Sequence, residues 1–401
     1  MTSDTMTAPA LRTGRMDRLE TLSLSVLLCF VAALQLSVAA SGILLALTML
    51  CWGALLGLRH ERFEAPPIFW PLVAYAGATL LSAAMSVNPR LSLVDSKQLV
   101  LFLIIPLVYR LARGSRAHTF ASVIIGVGAA SALVGLFQYG FLQFDNLGRR
   151  PEGALSHYMT YSGTLMLVAC ATAARLIFEP RDRTWPLVVL PAVLVALGLT
   201  FTRSAWVGVG VGLAVLLMMR DRRLVALLPA AFAVAVILAP PSITDRVYSI
   251  FDLKDPTNRD RVAMLKSGAA MVEDHPLTGV GPDQVKQVYT QYRVPEAVQD
   301  LNVHLHNVPM QIAAERGLVA LVVWCWFVWT AGRELHARFV NGRSRQTRTL
   351  AAGGLASLAA MLAAGLFEYN FGDSEFLMLL LVLLTLPFAS ERSEALPRPV
   401  V

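Results

Sequence analysis

Residues 301–331 read LNVHLHNVPMQIAAERGLVALVVWCWFVWTA, and the change of character inside this stretch decides the fold. Up to Leu305 the chain is polar and rich in turn residues. From Asn307 to Ala331 it becomes a helix-length run, strongly apolar from Leu318 onward and long enough to cross a hydrocarbon core. Pro309 suits the first turn of that helix, where its missing N–H costs nothing. Upstream, Pro241 to Leu305 is a long, mostly polar segment caught between apolar runs, and it ends in a histidine pair, His304 and His306, at the lip of the next helix.

The whole chain has the same bias. With 401 residues, 56% hydrophobic and only 15% charged, and a mean hydropathy of +0.58, it is too apolar for a soluble protein of this size. Lipid offers no partner to unpaired backbone groups, so the expected class is all-α, a polytopic transmembrane helical protein forming one integral membrane domain over residues 1–401. Apolar runs between charged residues predict about twelve spans, at 21–38, 42–58, 67–86, 97–112, 118–142, 157–178, 185–201, 204–219, 223–239, 307–331, 347–366 and 373–389. Arg12, Arg15 and Arg18 before an apolar run, with the small residues Val38-Ala39-Ala40-Ser41 after it, also suit a cleaved signal peptide. The run is helix-length and a second follows at once, which favours a first span.

Basic residues orient the spans. With the N-terminus inside, the inner segments hold 21 arginines and the short outer loops only Arg90, Lys97, Arg149, Arg150 and Arg203. Both termini are then expected on the cytoplasmic side, and the 241–305 loop between spans nine and ten faces outward. Topology accounts for the inner arginines, so no nucleic-acid partner is implied. The cysteines Cys29, Cys51, Cys170 and Cys325 all lie in apolar stretches without metal-site or disulfide spacing.

The outer loop has helical periodicity over Asn258 to Val272 and Gln284 to Tyr292, joined by the turn-rich stretch His275 to Pro282. It is expected to form a small helical cap. Seven basic and nine acidic side chains leave it at −2, so it sets up no bulk positive field and its charges suit a solvated surface. Arginines in the short outer connections are placed more tightly. Arg203, in Phe201-Thr202-Arg203-Ser204-Ala205-Trp206, is either a helix-end residue snorkelling beside an interfacial Trp206 or a binding residue retained against the topological bias. Arg149 and Arg150 occupy another short outer loop, and a planar fork of donors suits diphosphate oxygens. His306 is either structural or a proton acceptor near neutral pH. Glu368 and Asp373 belong to a further outer connection expected to face the same cavity. No phosphate-loop, HExxH or GxSxG pattern occurs, and no carboxylate cluster suited to a catalytic metal. The pairs Asp252/Asp255 and Glu273/Asp274 suit helix ends or solvent better than a cation.

Taken together, these motifs resemble the bacterial O-antigen ligase and polymerase superfamily. His306-Asn307, nine residues, then Gly317 match its His-(Asn/Ser/Gln)-x9-Gly signature, with Ala320 departing at the last position. Thr202 to Trp206, the Arg261 helix running to His275-Pro276-Leu277-Thr278-Gly279-Val280-Gly281, and Arg150-Pro151-Glu152-Gly153 leading into His157 are similar too, with Leu265 where relatives often carry Trp. The resemblance implies an inverting, metal-independent glycosyl transfer without cofactor at the periplasmic face of the inner membrane. The donor it implies is a glycan on undecaprenyl diphosphate, held by Arg203, Arg261 and Arg150, and the base is His306. Arg149, Arg259, His304, Asn307 and His157 are supporting candidates. The implied acceptor is the lipid A-core sugar of a ligase. A glycan repeat (polymerase), a protein side chain (oligosaccharyltransferase) and a non-enzymatic flippase for a lipid-linked glycan remain as alternatives.

Overall fold

The computed structural model describes residues 7–59, 61–252 and 254–392. The side chains of Arg12, Arg15 and Arg59, and all of Arg398, which count toward the orientation, lie outside this description. The described residues form sixteen α-helices: α1 (Thr7–Ala33), α2 (Val38–Arg59), α3 (Phe69–Ala84), α4 (Pro89–Asp95), α5 (Ile104–Leu111), α6 (Arg116–Gly140), α7 (Tyr158–Phe178), α8 (Thr184–Gly198), α9 (Arg203–Arg220), α10 (Leu227–Leu238), α11 (Pro241–Tyr248), α12 (Pro256–Asp274), α13 (Val285–Tyr292), α14 (Val308–Asn341), α15 (Arg345–Gly365) and α16 (Ser374–Ser390). Short 3₁₀ segments at Ser96–Leu103, Arg222–Ala226 and Asn370–Gly372 join some of them. Every one of the twelve expected apolar runs falls on helix. Among the described residues, seven helical stretches are long and apolar enough to cross a membrane, while others are shorter. The 12 residues of α10 rise only about 18 Å against a hydrocarbon thickness near 30 Å. The structure therefore supports a multi-pass helical membrane protein and leaves the count of twelve crossings unsupported by helix length.

Small residues let the central helices approach closely. A Cβ on Gly208 would lie 2.2 Å from Met166 Sδ and 2.8 Å from the Ala360 carbonyl, and one on Gly212 would lie 2.6 Å from Cys170 Sγ. Gly208 and Gly212 thus set α9 against α7 and α15, the packing expected where lipid removes the hydrophobic drive between helices. Almost all of α16 is buried, whereas no residue of α10 is. The splayed α10 leaves an apolar groove of about 670 Å³ against α8, α9 and α11.

The two ends of the bundle differ in chemistry. At one end, where α5 stops and α6 starts, arginines are ion-paired: Arg110 to Glu61 at 2.6 Å, Arg113 to Glu20 at 3.0 Å, Arg338 to Glu391 at 3.2 Å, and Arg392 to Glu64. The opposite end, where α7, α9, α14 and α16 begin, carries the 241–305 segment as a layer of α11, α12 and α13. That layer has a small core of its own, including Met264, Met271, Val285, Val288, Tyr289 and Leu305.

A break in α14 locks this layer to the bundle. Asn307 caps the helix by accepting the Met310 N–H at 2.9 Å, and the helix is interrupted at Gly317, with φ 80° and ψ 171°. The carbonyls freed there are taken by the turn-rich stretch: Val280 N–H donates to Ala314 O (2.9 Å) and Gly281 N–H to Glu315 O (2.8 Å), while Leu318 N–H donates to Pro276 O (2.8 Å). This satisfies backbone groups that would otherwise be unpaired at the membrane edge. The fit tolerates no side chain, since a Cβ on Gly317 would lie 2.0 Å from Leu277 O and one on Gly279 2.3 Å from the Glu315 carbonyl carbon. The spacing from His306-Asn307 to Gly317 is thus the length of one capped half-helix between the site and the stitch.

Candidate active site

The first residues of three helices converge beneath the layer on a cavity of about 280 Å³. Tyr158 and Met159 open α7, Arg203 and Ser204 open α9, and Pro256 and Thr257 open α12, and all six line it. Neither α7 nor α9 has a side-chain cap on its first amides, so the positive ends of two helix dipoles lie beside the cavity. Helix starts of this kind favour anions.

Four arginines reinforce that field: Arg150, Arg203, Arg246 and Arg261 all line the cavity. Arg203 is buried and does not snorkel to solvent. Its guanidinium donates to Ser249 O at 2.8 Å and Ser249 Oγ at 3.0 Å, and contacts Asp255 at 3.4 Å, tying α9 to the start of the layer. Arg150 donates from Nε to Leu147 O at 3.0 Å and lies over the Tyr158 ring at 4.2 Å. Arg261 has a buried Nε with no hydrogen-bond partner among the described residues. Burial, and then repulsion from Arg203 and Arg150, lowers the Arg246 guanidinium to about 10. Burial also lowers Arg261 and Arg150, partly offset by Glu368 and by Tyr158 respectively. These groups stay cationic at neutral pH, crowded and short of counter-charge. An anion would relieve all of them at once.

Acidic groups nearby are mostly engaged elsewhere. Asp260 accepts from Val298 N–H (3.0 Å), Gln299 N–H (3.1 Å) and Asn302 Nδ2 (3.3 Å), holding the last turn of the layer in place. Glu368, between α15 and α16, pairs with both histidines: His306 Nδ1 lies 2.9 Å from Oε2 and His304 Nε2 3.3 Å from Oε1. With Glu368 ionised, His306 donates from Nδ1, and Nε2 is the ring nitrogen left unengaged by Glu368 in a side chain that lines the cavity. Burial alone would raise Glu368, yet the hydrogen bonds and charge of the two imidazoles hold it well below the usual carboxylate range. His306 and the wall residue Phe201 both have positive φ, 47° and 56°. Such backbone is sparsely populated for non-glycine residues and is held here by the surrounding structure.

Glu368 and Met159 also line a second cavity of about 210 Å³ on the side of His304, with His157, Asp373 and Phe376. Of the expected site residues, His306, Arg203, Arg261 and Arg150 come together in the first cavity, and His304 and His157 line the second. Asn307 caps α14 and donates from Nδ2 to Leu366 O at 3.0 Å, helping to place the Glu368 loop. Arg149 is exposed over the Phe144 ring at 4.2 Å, and Arg259 is exposed too. Neither lines the cavity. Arg246 and Glu368 carry more of the site than the sequence assigns them. The signal for Arg246 is its place on the short helix after the Pro240-Pro241 break, where Ile243 and Val247 line the apolar groove.

Ligand atoms of His304, His306 and Glu368 lie within 4.8 Å of one another, so these three could hold a divalent ion. His118, Glu179 and Asp182 form a second such group at the other end, where Arg175 already pairs with Glu179 at 3.4 Å and Asp182 at 2.5 Å and competes for the same oxygens.

Comparison with curated proteins returns no match. The family model described as O-antigen ligase matches residues 187–325, a region that runs from α8 through the layer into α14 and so carries Arg203, Arg246, Arg261, His306 and Gly317. Over this region, about a third of the chain, the sequence is similar to the O-antigen ligase family.

Proposed function

We propose that the protein transfers a glycan from undecaprenyl diphosphate to the lipid A-core sugar at the periplasmic face of the bacterial inner membrane, with inversion at the anomeric carbon. The observation that carries this reading is the cavity with four arginines and the starts of α7 and α9 on its wall, a concentration of positive charge that matches a diphosphate. The apolar groove supports it. Trp206 on α9 and Val247 on α11 line the groove, and Arg203 and Arg246 on the same two helices line the cavity, so a lipid tail and its diphosphate have adjoining places.

Chemically, the arginines bind the diphosphate and stabilise the charge it gains as it leaves. Glu368 orients His306 so that Nε2 takes the proton of the attacking hydroxyl. The layer of α11 to α13 covers the reacting atoms and limits hydrolysis. Arg203 serves twice in this reading, holding the layer through Ser249 and Asp255 while facing the donor.

The test is transfer by purified protein supplied with lipid-linked donor and, in parallel, lipid A-core, a second lipid-linked repeat, or a peptide. Product on lipid A-core alone, undiminished by chelator, is the expected result. Product on the repeat or the peptide alone would move the protein to the polymerase or oligosaccharyltransferase branch. Movement of the lipid across a bilayer without transfer would replace the enzymatic reading by a flippase.

A further inference from the structure

The second cavity differs from the first in its chemistry. The arginine cavity suits an anion, whereas the second has no Lys or Arg in its lining and carries His157, His304, Glu368 and Asp373, with Met159, Tyr369 and Phe376 among the residues around them. Two carboxylates would repel a diphosphate. Carboxylates and imidazoles are instead the set that engages a sugar, by accepting from and donating to its hydroxyls. The two spaces share Met159 and Glu368 in their linings, so the paired His304, Glu368 and His306 stand at the boundary between them.

The polar groups of this cavity are fixed and still have capacity. Asp373 accepts the Phe376 N–H at 3.0 Å on Oδ1 and the Thr160 hydroxyl at 2.5 Å on Oδ2, which holds the carboxylate while leaving each oxygen a lone pair. His157 stacks on Tyr158 with ring centroids 5.2 Å apart and makes no side-chain hydrogen bond among the described residues. His304 gives Nε2 to Glu368, which leaves its Nδ1 free of that bond.

We infer that the second cavity is the acceptor subsite, which binds the sugar that is to be glycosylated and presents its hydroxyl past Glu368 to His306. This rests on the reading of the arginine cavity as the donor site. In the step it serves, the acceptor oxygen bonds to the donor's anomeric carbon and the bond from that carbon to the diphosphate oxygen breaks. The electron pair leaves with the diphosphate, and the hydroxyl proton goes to His306 Nε2. Asp373, His157 and His304 are positioning residues for the acceptor, and no further reactant is needed.

The test is steady-state transfer by the full-length protein with each substrate varied in turn. Asp373→Asn keeps a side chain able to cap α16, and His157→Ala removes no hydrogen bond, so a folding failure in one leaves the other to decide. Each variant is expected to raise the acceptor KM about tenfold, the loss of one or two hydrogen bonds to the ligand, with the donor KM unchanged. Arg261→Lys should show the reverse pattern. Lipid-free core oligosaccharide should inhibit competitively against the acceptor and not against the donor. An unchanged acceptor KM in both variants, or a raised donor KM, overturns the subsite while wild-type transfer stands. A wild-type protein that binds the donor and transfers nothing overturns the donor-site reading beneath it.

Discussion

Replacing Glu368 with Gln exchanges one carboxylate oxygen for an amide NH2, with almost no change in shape. In the wild type the two oxygens accept from His306 at 2.9 Å, from His304 at 3.3 Å and from the Tyr369 N–H at 3.1 Å. The amide can accept on one side only. Facing His306, its NH2 demands that Nδ1 become the acceptor, which moves the imidazole proton to Nε2 and removes the base. Facing His304, it disturbs the neighbouring ring, 4.2 Å away between centroids. The charge that stabilises a protonated His306 is lost either way. A base held in the wrong tautomer costs roughly 10² to 10⁴ in rate, or about 3–5 kcal/mol of barrier.

The assay is single-turnover transfer with donor binding measured separately, since the arginines are untouched and donor affinity should hold. The carboxyl of Glu368 is held well below its usual range despite burial, by the hydrogen bonds and charge of the two histidines. A depressed folded value means its contribution is complete above the unfolded carboxylate pKa and is lost only as pH falls toward the folded one. Between about pH 5 and 8 Glu368 therefore stays ionised, and any acid limb of the wild-type rate in that window comes from another group. A Gln variant that transfers within about threefold of wild type, with unchanged donor binding, would refute this reasoning.

Arg246→Ala should raise the donor KM by roughly ten- to a hundredfold through loss of a charged hydrogen-bonding group, measured against an unchanged acceptor KM. Arg203→Lys loses the fork that meets Ser249 and Asp255 together, so it should lower transfer and also speed limited proteolysis within residues 241–305; equal activity and equal digestion would return Arg203 to a topological role. Gly317→Ala places a side chain at φ 80° and against Leu277 O, so thermal unfolding in detergent should show a loss of at least about 2 kcal/mol, and a variant as stable as wild type would mean the stitch yields. Exhaustive chelation should leave the wild-type rate unchanged, and restoration of a lost rate by one divalent ion would assign His304, His306 and Glu368 to a metal.

Much of the layout was legible because the bilayer restricts it. Apolar length placed the helices, and periodicity placed the layer: helices expected at Asn258 to Val272 and Gln284 to Tyr292 are found at Pro256–Asp274 and Val285–Tyr292. Crossing number was harder, because α3, α8 and α16 are shorter than a full span and α10 hardly packs. The spacing from His306 to Gly317 was recognisable as a pattern, but its cause was not. Only the structure shows that Gly317 opens α14 for the backbone of Pro276 to Gly281.

Side-chain direction set the limit at the site. Arg259 and Arg261 are two residues apart on α12, about 200° around the helix, so one faces solvent when the other faces the cavity. Helical spacing contained that answer. Arg149 and Arg150 were not separable this way, because the Asn146–Arg149 bridge that turns one outward is a loop feature. Arg246 was obscured by the loop's overall charge of −2, a sum that hides where each group points. Glu368 was placed near the cavity, but its pairing with both histidines depends on contacts more than sixty residues away in sequence.

The role of His306 as base is tested most directly by comparing His306→Ala with wild type in the same two measurements, donor binding and single-turnover transfer to lipid A-core. Donor affinity should be unchanged, since the arginines and helix starts remain, and the transfer rate should fall by at least about a hundredfold. A His306→Ala protein that binds donor and transfers at near the wild-type rate would contradict that role.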